Sequence, residues 1–417
     1  MTTQQSGHVV IVHRWRDRYA HYPSYVDHAG RPVTYVTTAL GRESVPASAA
    51  EILVLDPAAG DTIRDAVASL ARRHGPPVAI IALKEGDLPE VAALRAEYGC
   101  AGRHPEDLRR FLDKLEMARR VEAAGLRLPA YAEATDAAAV AAFADRVGWP
   151  VIVKPRRGSA SSGVRRITSA TDLVGFAPER PSIVQEFVDE QIYHVDGVFD
   201  GHRLGPWRAS RYVNTCLGFT TGDPLGSVEE DDPATLSVIE DFTERMARAM
   251  SAEPWIFHLE MFVGEDAAGA PRATFLEVGC RVGGAEIPFI WRDLHGLDLM
   301  RIEVALQLGE RPAVEPLAGG QPVGGWLLMP SPASAPCLIE RSCSLLHLPD
   351  GPYAEKVLPA GEIVPASTDA FYEHVGGRFR FRGSTSGQVE AAIRAAAASF
   401  DLRCRSLAEP SLMAAAR

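Results

Sequence analysis

The stretch from Val151 to Ile167, VIVKPRRGSASSGVRRI, contains residue types that could hold a phosphate group. Gly158 and Gly163 have the spacing of the glycines in a Walker A loop, but Val164 and Arg165 stand where that loop has Lys and Ser or Thr. A Walker loop also needs its last glycine to open a helix, whereas a strand pattern follows here. The sequence therefore predicts a hairpin and not a P-loop.

The function inferred for this hairpin depends on Lys154. The residue ends an apolar strand, where a buried ammonium group is costly unless it meets an anion. Only Ser and Ala stand between the two glycines, and such small residues let backbone N–H groups close over phosphate oxygens. Taken alone, the stretch is more typical of a plain surface hairpin, so its interpretation depends on the rest of the chain.

Two carboxylates occur later in the chain on strands that should pair. Glu260 lies in HLEMF and Glu277 in FLEVG, and a polar turn joins the two strands. Arg281 follows directly. Carboxylates bind hard cations through oxygen, and an arginine neutralises a phosphoryl group in transfer. This set suits a site for magnesium and phosphate.

Composition excludes several other classes of function. The 417 residues carry a formal net charge of -11 with no long basic block, which disfavours a nucleic-acid partner. There is neither an apolar run of about 20 residues, which a membrane span needs, nor a recognisable signal peptide. The six cysteines are scattered without a CxxC pair, so zinc is disfavoured. We therefore expect a cytoplasmic protein with reduced thiols that contacts neither membranes nor nucleic acids.

The spacing of apolar residues predicts the helices and strands that must position these side chains. Four apolar strands, from His8, Arg31, Glu51 and Pro77, alternate with helical spacing and predict a parallel sheet covered by helices. A helix or helix pair begins at His104, and strands and a helix surround the glycine stretch. From about residue 309 the chain becomes rich in strands and then closes with a helix. The predicted fold class is mixed α/β and α+β.

This order of pieces resembles the ATP-grasp superfamily from about Val9 to about Phe400. It is most similar to the carboxylate–amine ligase branch, represented by bacterial L-amino acid ligases; biotin carboxylase and D-alanine–D-alanine ligase are more distant. The resemblance implies a Rossmann-like domain over 1–103 and an ATP-grasp domain over 104–309, with a flexible subdomain at about 130–190. A strand-rich lobe over 310–417 completes the active site.

The resemblance also assigns roles to the motifs. It places two lysines on the phosphates and adenine, a lid over the β- and γ-phosphates, a hinge on adenine, two metal ligands for Mg2+ or Mn2+, and an arginine on the γ-phosphate. The two lysines are Lys114 and Lys154, and the lid consists of Gly158, Ser159, Ser161, Ser162 and Gly163. The hinge consists of Gln185, Glu186 and Val188. The metal ligands are Glu260 and Glu277, and the arginine is Arg281. For Lys114, the alternative is a solvated helix lysine, and for Arg281, an ion pair with a carboxylate such as Glu286 that only holds the turn.

The sequence departs from the family pattern at two positions. Gly279 stands where relatives usually have an Asn metal ligand. Ile192 stands where they often have a Glu that binds ribose, for which Glu190, Tyr193 or His194 could substitute.

The resemblance implies a ligase that joins a small-molecule carboxylate to an amine through an acyl-phosphate, using ATP. It leaves open a homodimer and two other functions. One is an enzyme acting on another metabolite, as biotin carboxylase or purine-biosynthesis enzymes do. The other is a nucleotide-binding protein without catalysis.

Overall fold

The computed structural model describes residues 7–158, 161–332, 335–366 and 374–407. Two compact units divide the chain. The first is drawn from residues 1–209, 232–284 and 291–319, and the second from residues 210–231, 285–290 and 320–417. None of the helices in the described ranges has the length and apolar character needed to cross a membrane.

The first unit begins with a four-stranded parallel sheet in the order β3-β2-β1-β4. All four strands were predicted, and buried aliphatic side chains explain their apolar runs. Thr62 caps one of the helices by accepting from the backbone N–H of Asp65. The elements are β1 (His8–His13), α1 (Tyr22–Tyr25), β2 (Val33–Thr38), β3 (Glu51–Leu55), α2 (Ile63–His74), β4 (Pro77–Ala82) and α3 (Leu88–Tyr98).

The segment from His104 is a helix pair that breaks at Asp113. A four-stranded sheet in the order β5-β8-β6-β7 follows, and all its pairings are antiparallel. The glycine stretch therefore joins two antiparallel strands, as predicted. The elements are α4 (Pro105–Leu112), α5 (Lys114–Ala123), β5 (Tyr131–Glu133), α6 (Ala137–Val147), β6 (Val151–Pro155), β7 (Arg165–Ile167) and β8 (Ser182–Glu186).

A second antiparallel arrangement in the first unit has the strand order β13-β12-β9-β10. Its apolar face packs around Phe257, Leu259 and Met246 in a buried core. The elements from here to the end of the first unit are β9 (Gln191–Phe199), β10 (Leu204–Tyr212), α7 (Cys216–Thr220), β11 (Leu225–Glu229), α8 (Pro233–Met250), β12 (Trp255–Glu265), β13 (Pro271–Gly279), α9 (Ile287–His295) and α10 (Leu299–Gln307). Of these, α7 and β11 belong to the second unit, as do the last three residues of β10 and the first four of α9.

The second unit contains antiparallel strands in the orders β11-β14-β18-β16 and β17-β15-β19. The closing helix packs Val389 and Ile393 into the core of this unit, beside Phe379 and Phe381. The predicted strand-rich C-terminal part and final helix are both confirmed. The elements are β14 (Val323–Met329), β15 (Cys337–Ser342), β16 (Ala354–Val357), β17 (Ile363–Val364), β18 (Gly377–Gly383), α11 (Ser386–Ser399) and β19 (Leu402–Ser406).

Candidate functional site

The two predicted metal ligands face each other across neighbouring strands. Glu260 of β12 and Glu277 of β13 are register partners, and the register shifts directly after Glu260. Side chains of register partners on antiparallel strands point to the same face of the sheet. The strand pattern thus brings two carboxylates together, and oxygen ligands of this kind suit Mg2+ or Mn2+.

The two predicted lysines reach the same pair of carboxylates. Lys114 Nζ lies 3.2 Å from Glu277 Oε2 and donates to the carbonyl of Gly158 at 2.7 Å. Its side chain is only 13% exposed, so it is not a solvated helix lysine. Lys154 is buried, and that burial lowers the pKa of its ammonium group to about 8, against the opposing charges of Glu277 and Glu260. Positive and negative groups therefore converge here.

A contact that the sequence did not reveal fixes Lys114. Asp113 caps α5 by accepting from the backbone N–H groups of Leu115 and Glu116, and its other oxygen lies 2.7 Å from the Arg156 guanidinium. The backbone N–H of Lys114 donates to the carbonyl of Arg156. The start of α5 is thus tied to the end of β6, so Lys114 and Lys154 are held side by side.

The glycine stretch leaves β6 with a backbone that demands glycine. Gly158 has φ of 144°, a conformation that side-chain-bearing residues rarely adopt. Ser162 and Gly163 are exposed, and Ser161 is partly so. Ser159 lies outside the described residues. The described part of this stretch is therefore largely exposed, and Lys114 contacts it at Gly158.

The predicted hinge lies at the end of β8. Gln185 is buried within the strand, opposite Ile152, and Val188 follows the strand. Glu186 exchanges hydrogen bonds with Ala130, donating through its backbone N–H and accepting through Oε2. The Glu186 side chain therefore holds the strand before β5, and its contact with adenine stays a prediction.

The candidates for a ribose-binding group have other surroundings. Glu190 pairs with Arg272 at 2.6 Å, and Tyr193 packs into the apolar core. His194 Nδ1 donates to the carboxylate of Asp196 at 2.7 Å in a buried contact. Which of these residues meets a ribose remains a prediction.

Arg281 pairs with a residue from the parallel-sheet region. Its Nε lies 2.5 Å from Glu85 Oε2, whereas Glu286 contacts Arg378 and Arg380. Arg281 therefore has a carboxylate partner, as its structural alternative expects, and that partner is Glu85. Burial disfavours the charged form of Glu85, but the charge of Arg281 outweighs it and keeps the pKa of Glu85 below its ordinary value.

Gly279 has a steric explanation. A Cβ placed there would lie 3.3 Å from Cγ of Arg281, closer than most real contacts. The glycine thus lets the Arg281 side chain fold back past the end of β13. A side chain at this position would require Arg281 to shift by a few tenths of an ångström.

A buried polar chain that the sequence analysis did not assemble adjoins Glu260. His258 Nδ1 lies 2.9 Å from one oxygen of Asp196, and His194 Nδ1 lies 2.7 Å from the other. Burial disfavours a charged His258, but Asp196 reverses the effect and raises the pKa of His258 to about 9. Because His258 stands two residues before Glu260, strand alternation could have placed it on the same face.

Comparison with known proteins agrees with this geometry. Residues 111–215 match the ATP-grasp domain family. The chain is 27% identical over 223 residues to the mitochondrial arginine-specific large chain of carbamoyl phosphate synthase from Neurospora crassa, covering 49% of this chain and 19% of that one. It is 35% identical over 200 residues to the carbamoyl phosphate synthase large chain of Beutenbergia cavernae, covering 42% and 18%. The chain thus spans less than a fifth of these curated relatives.

Solved structures share the fold over nearly the whole chain. The L-amino acid ligase from Bacillus licheniformis has a TM-score of 0.72 at 16% identity, covering 96% of this chain and 99% of that one. The biotin carboxylase domain of Hydrogenobacter thermophilus 2-oxoglutarate carboxylase, solved with MgADP and bicarbonate, has a TM-score of 0.68 at 14% identity, covering 95% and 90%. Phosphoribosylglycinamide synthetase from Anaerococcus prevotii has a TM-score of 0.67 at 11% identity, covering 95% and 99%.

The domain match over residues 111–215 and the similarity in fold agree with the resemblance to the ATP-grasp superfamily that the sequence predicted. ATP-grasp enzymes are ATP-dependent ligases that use ATP with Mg2+.

Proposed function

We propose that this protein is an ADP-forming ligase that joins a carboxylic acid to an amine, with amino acids or peptide-like molecules as substrates. The observation that carries the proposal is the proximity of Lys114 and Lys154 to the paired carboxylates of Glu260 and Glu277, with Arg281 just beyond the end of β13. The full-length similarity in fold to an L-amino acid ligase supports the substrate class.

The charges of these side chains suit the binding of a nucleoside triphosphate with a divalent cation. Glu260 and Glu277 would hold the cation, which when bound neutralises phosphate charge and orients the triphosphate. Lys114 and Lys154 would bind phosphate oxygens, and the glycine stretch would cover them. Because Lys114 already contacts both Glu277 and Gly158, it would couple the stretch to the phosphates.

A carboxylate has no good leaving group, and phosphorylation by ATP provides one. Its oxygen attacks the γ-phosphorus of ATP, the bond to the β-phosphate oxygen breaks, and ADP leaves. The resulting acyl-phosphate has a good leaving group, so the amine nitrogen attacks the carbonyl carbon. The C–O bond breaks, phosphate leaves, and the nitrogen loses a proton to give an amide. Arg281 would stabilise the charge on the phosphoryl group during transfer.

A phosphate-release screen tests this function. Amino acids are supplied singly and in pairs with ATP and Mg2+, and nucleotide and amide products are identified by mass spectrometry. We expect ADP, phosphate and an amide in equal amounts. AMP and pyrophosphate as the main products would contradict the mechanism. Bicarbonate-dependent or ribonucleotide-dependent turnover would favour the biotin carboxylase-like or purine-type alternative, and nucleotide binding without turnover would favour the inactive one.

A further inference from the structure

Three neighbouring strands place a block of polar positions on one face. The register pairs Glu260 of β12 with both Glu277 of β13 and His194 of β9. Two residues earlier in β12, His258 is paired with both Gly279 and Asp196. His258 therefore lies next to Glu260 along the strand and directly opposite the glycine at the end of β13.

The His258 ring is held in one orientation. Its Nδ1 lies 2.9 Å from Asp196 Oδ1, while Asp196 Oδ2 lies 2.7 Å from His194 Nδ1. All three residues are more than nine-tenths buried. Each oxygen of Asp196 faces a different imidazole, so hydrogen bonds to Asp196 hold the two rings in place. The other ring nitrogen of His258, Nε2, points away from Asp196.

That nitrogen, Nε2, faces the metal-binding carboxylate. It lies 3.8 Å from Glu260 Oε1, which is an ion-pair distance when the ring is protonated and is longer than an ordinary hydrogen bond. Two ligands of one cation, each about 2.1 Å from it, stand roughly 3 to 4 Å apart. Histidines that bind metals generally donate their other ring N–H to a carboxylate, which here is Asp196. The arrangement around His258 therefore has the form of a metal ligand with its orienting partner.

Gly279 explains why such a ligand would be needed. The family resemblance puts an Asn metal ligand at this position, and a glycine has no side chain to coordinate. His258 stands opposite Gly279 in the register, so its imidazole occupies the neighbouring position on the same face.

We propose that His258 Nε2 is a third protein ligand, beside Glu260 and Glu277, of the divalent cation that accompanies the nucleotide. The inference rests on the proposed function. Coordination uses the lone pair of Nε2, so a proton on that nitrogen is released when the metal binds. Imidazole binds Mn2+ more readily than Mg2+, so the site should select Mn2+ relative to an all-oxygen site.

Electron spin echo spectroscopy of bound Mn2+ tests the assignment directly. The full chain is loaded with Mn2+ and the methylene analogue of ATP, which cannot transfer its γ-phosphoryl group. We expect a nitrogen-14 modulation from a coordinated imidazole. In protein labelled with nitrogen-15 histidine, this modulation should change to the nitrogen-15 pattern, which excludes adenine as its source. The labelling comparison needs no substitution.

Variants then identify the histidine. His258→Gln should remove the histidine coupling and raise the half-saturating Mn2+ concentration about tenfold or more, with a smaller change for Mg2+. His202→Gln, at an exposed position, serves as the control and should change neither. An unchanged histidine coupling in folded His258→Gln protein would overturn the assignment.

The outcomes separate this inference from the proposed function. If the analogue binds with Mn2+ but no histidine nitrogen is coupled, the ligand assignment is wrong and the function stands. If the analogue does not bind in equilibrium dialysis, both fail. A Mn2+ ion held without nucleotide and coupled to two histidines would place the metal within the His194–Asp196–His258 cluster and overturn the assignment.

Discussion

At the scale of single residues, Arg281 has a proposed role and an observed contact, and one substitution would remove both. It would stabilise a phosphoryl group in transfer, and it pairs with Glu85. We expect Arg281→Ala to lower kcat by on the order of 10²–10³ with little effect on the KM for ATP, because transition-state contacts appear in kcat. Glu85→Gln breaks the same pair and keeps the arginine. If Arg281 were only structural, the two variants would lose melting temperature alike and Arg281→Ala would keep its kcat.

The carboxylate of Glu277 has an observed partner, Lys114, and a proposed one, the divalent cation. Glu277→Gln should raise the half-saturating Mg2+ concentration about tenfold or more, since a neutral amide is a weaker ligand. Lys114→Met removes the same ion pair but leaves the carboxylate, so we expect it to raise the KM for ATP. Steady-state titrations of Mg2+ and ATP on both variants separate these effects. An unchanged Mg2+ requirement in Glu277→Gln would contradict the metal assignment.

At the scale of elements, the break between α4 and α5 positions Lys114. Asp113→Ala removes a helix cap and the partner of Arg156, so we expect the free energy of unfolding to fall by about 1–2 kcal/mol and kcat/KM for ATP to fall as well. Asp136→Ala removes the cap of α6, where Asp136 accepts from Ala139, and provides the matched control. Denaturant unfolding and kinetics on both variants check this. Equal kinetics in the two variants would show that the Asp113 link does not position the lysine.

The hairpin between β6 and β7 is predicted to close over phosphates. Backbone N–H groups that bind phosphate oxygens exchange slowly with solvent, so the amides of Ser161, Ser162 and Gly163 should exchange more slowly when nucleotide is bound. Hydrogen exchange with and without ATP and Mg2+ measures this, with the exposed turn at Gly269 as an internal reference. Identical exchange in both states would count against a lid.

The sequence predicted local elements well because apolar alternation and helical spacing are properties of neighbouring residues. The pairing of Glu260 with Glu277 was predictable since a short polar turn joins their strands. Two contacts were not predictable: Asp113 with Arg156, 43 residues apart, and Glu85 with Arg281, 196 residues apart. Such contacts depend on how separate elements pack, which the residues at either end do not encode.

At the scale of the whole molecule, one buried cluster should make stability depend on pH. Burial and the charge of Arg281 oppose a charged His258, but the carboxylates of Asp196 and Glu260 outweigh them and raise the pKa of His258 to about 9. Burial likewise opposes the charge of Asp196, but His258 and His194 outweigh it and lower the pKa of Asp196. A raised histidine pKa contributes stability below the unfolded pKa of about 6.5, and this is lost as pH rises through about 9. The lowered pKa of Asp196 matters at acidic pH, because its contribution to stability is lost as the pH falls below about 4.

The metal-free protein in EDTA should therefore be most resistant to unfolding between about pH 4 and 6.5 as far as this cluster is concerned. Between pH 6.5 and 9.5 we expect the contribution of His258, on the order of 3 kcal/mol, to disappear. The measurement is the thermal unfolding midpoint at both pH values for the natural protein, His258→Gln and the exposed-site control His202→Gln. The His258 variant should start with a lower midpoint and lose less of it at high pH, whereas the control should follow the natural protein. A parallel decline in all three would show that His258 is not charged in the folded protein, because only a histidine that releases a proton over this range can weaken the fold there.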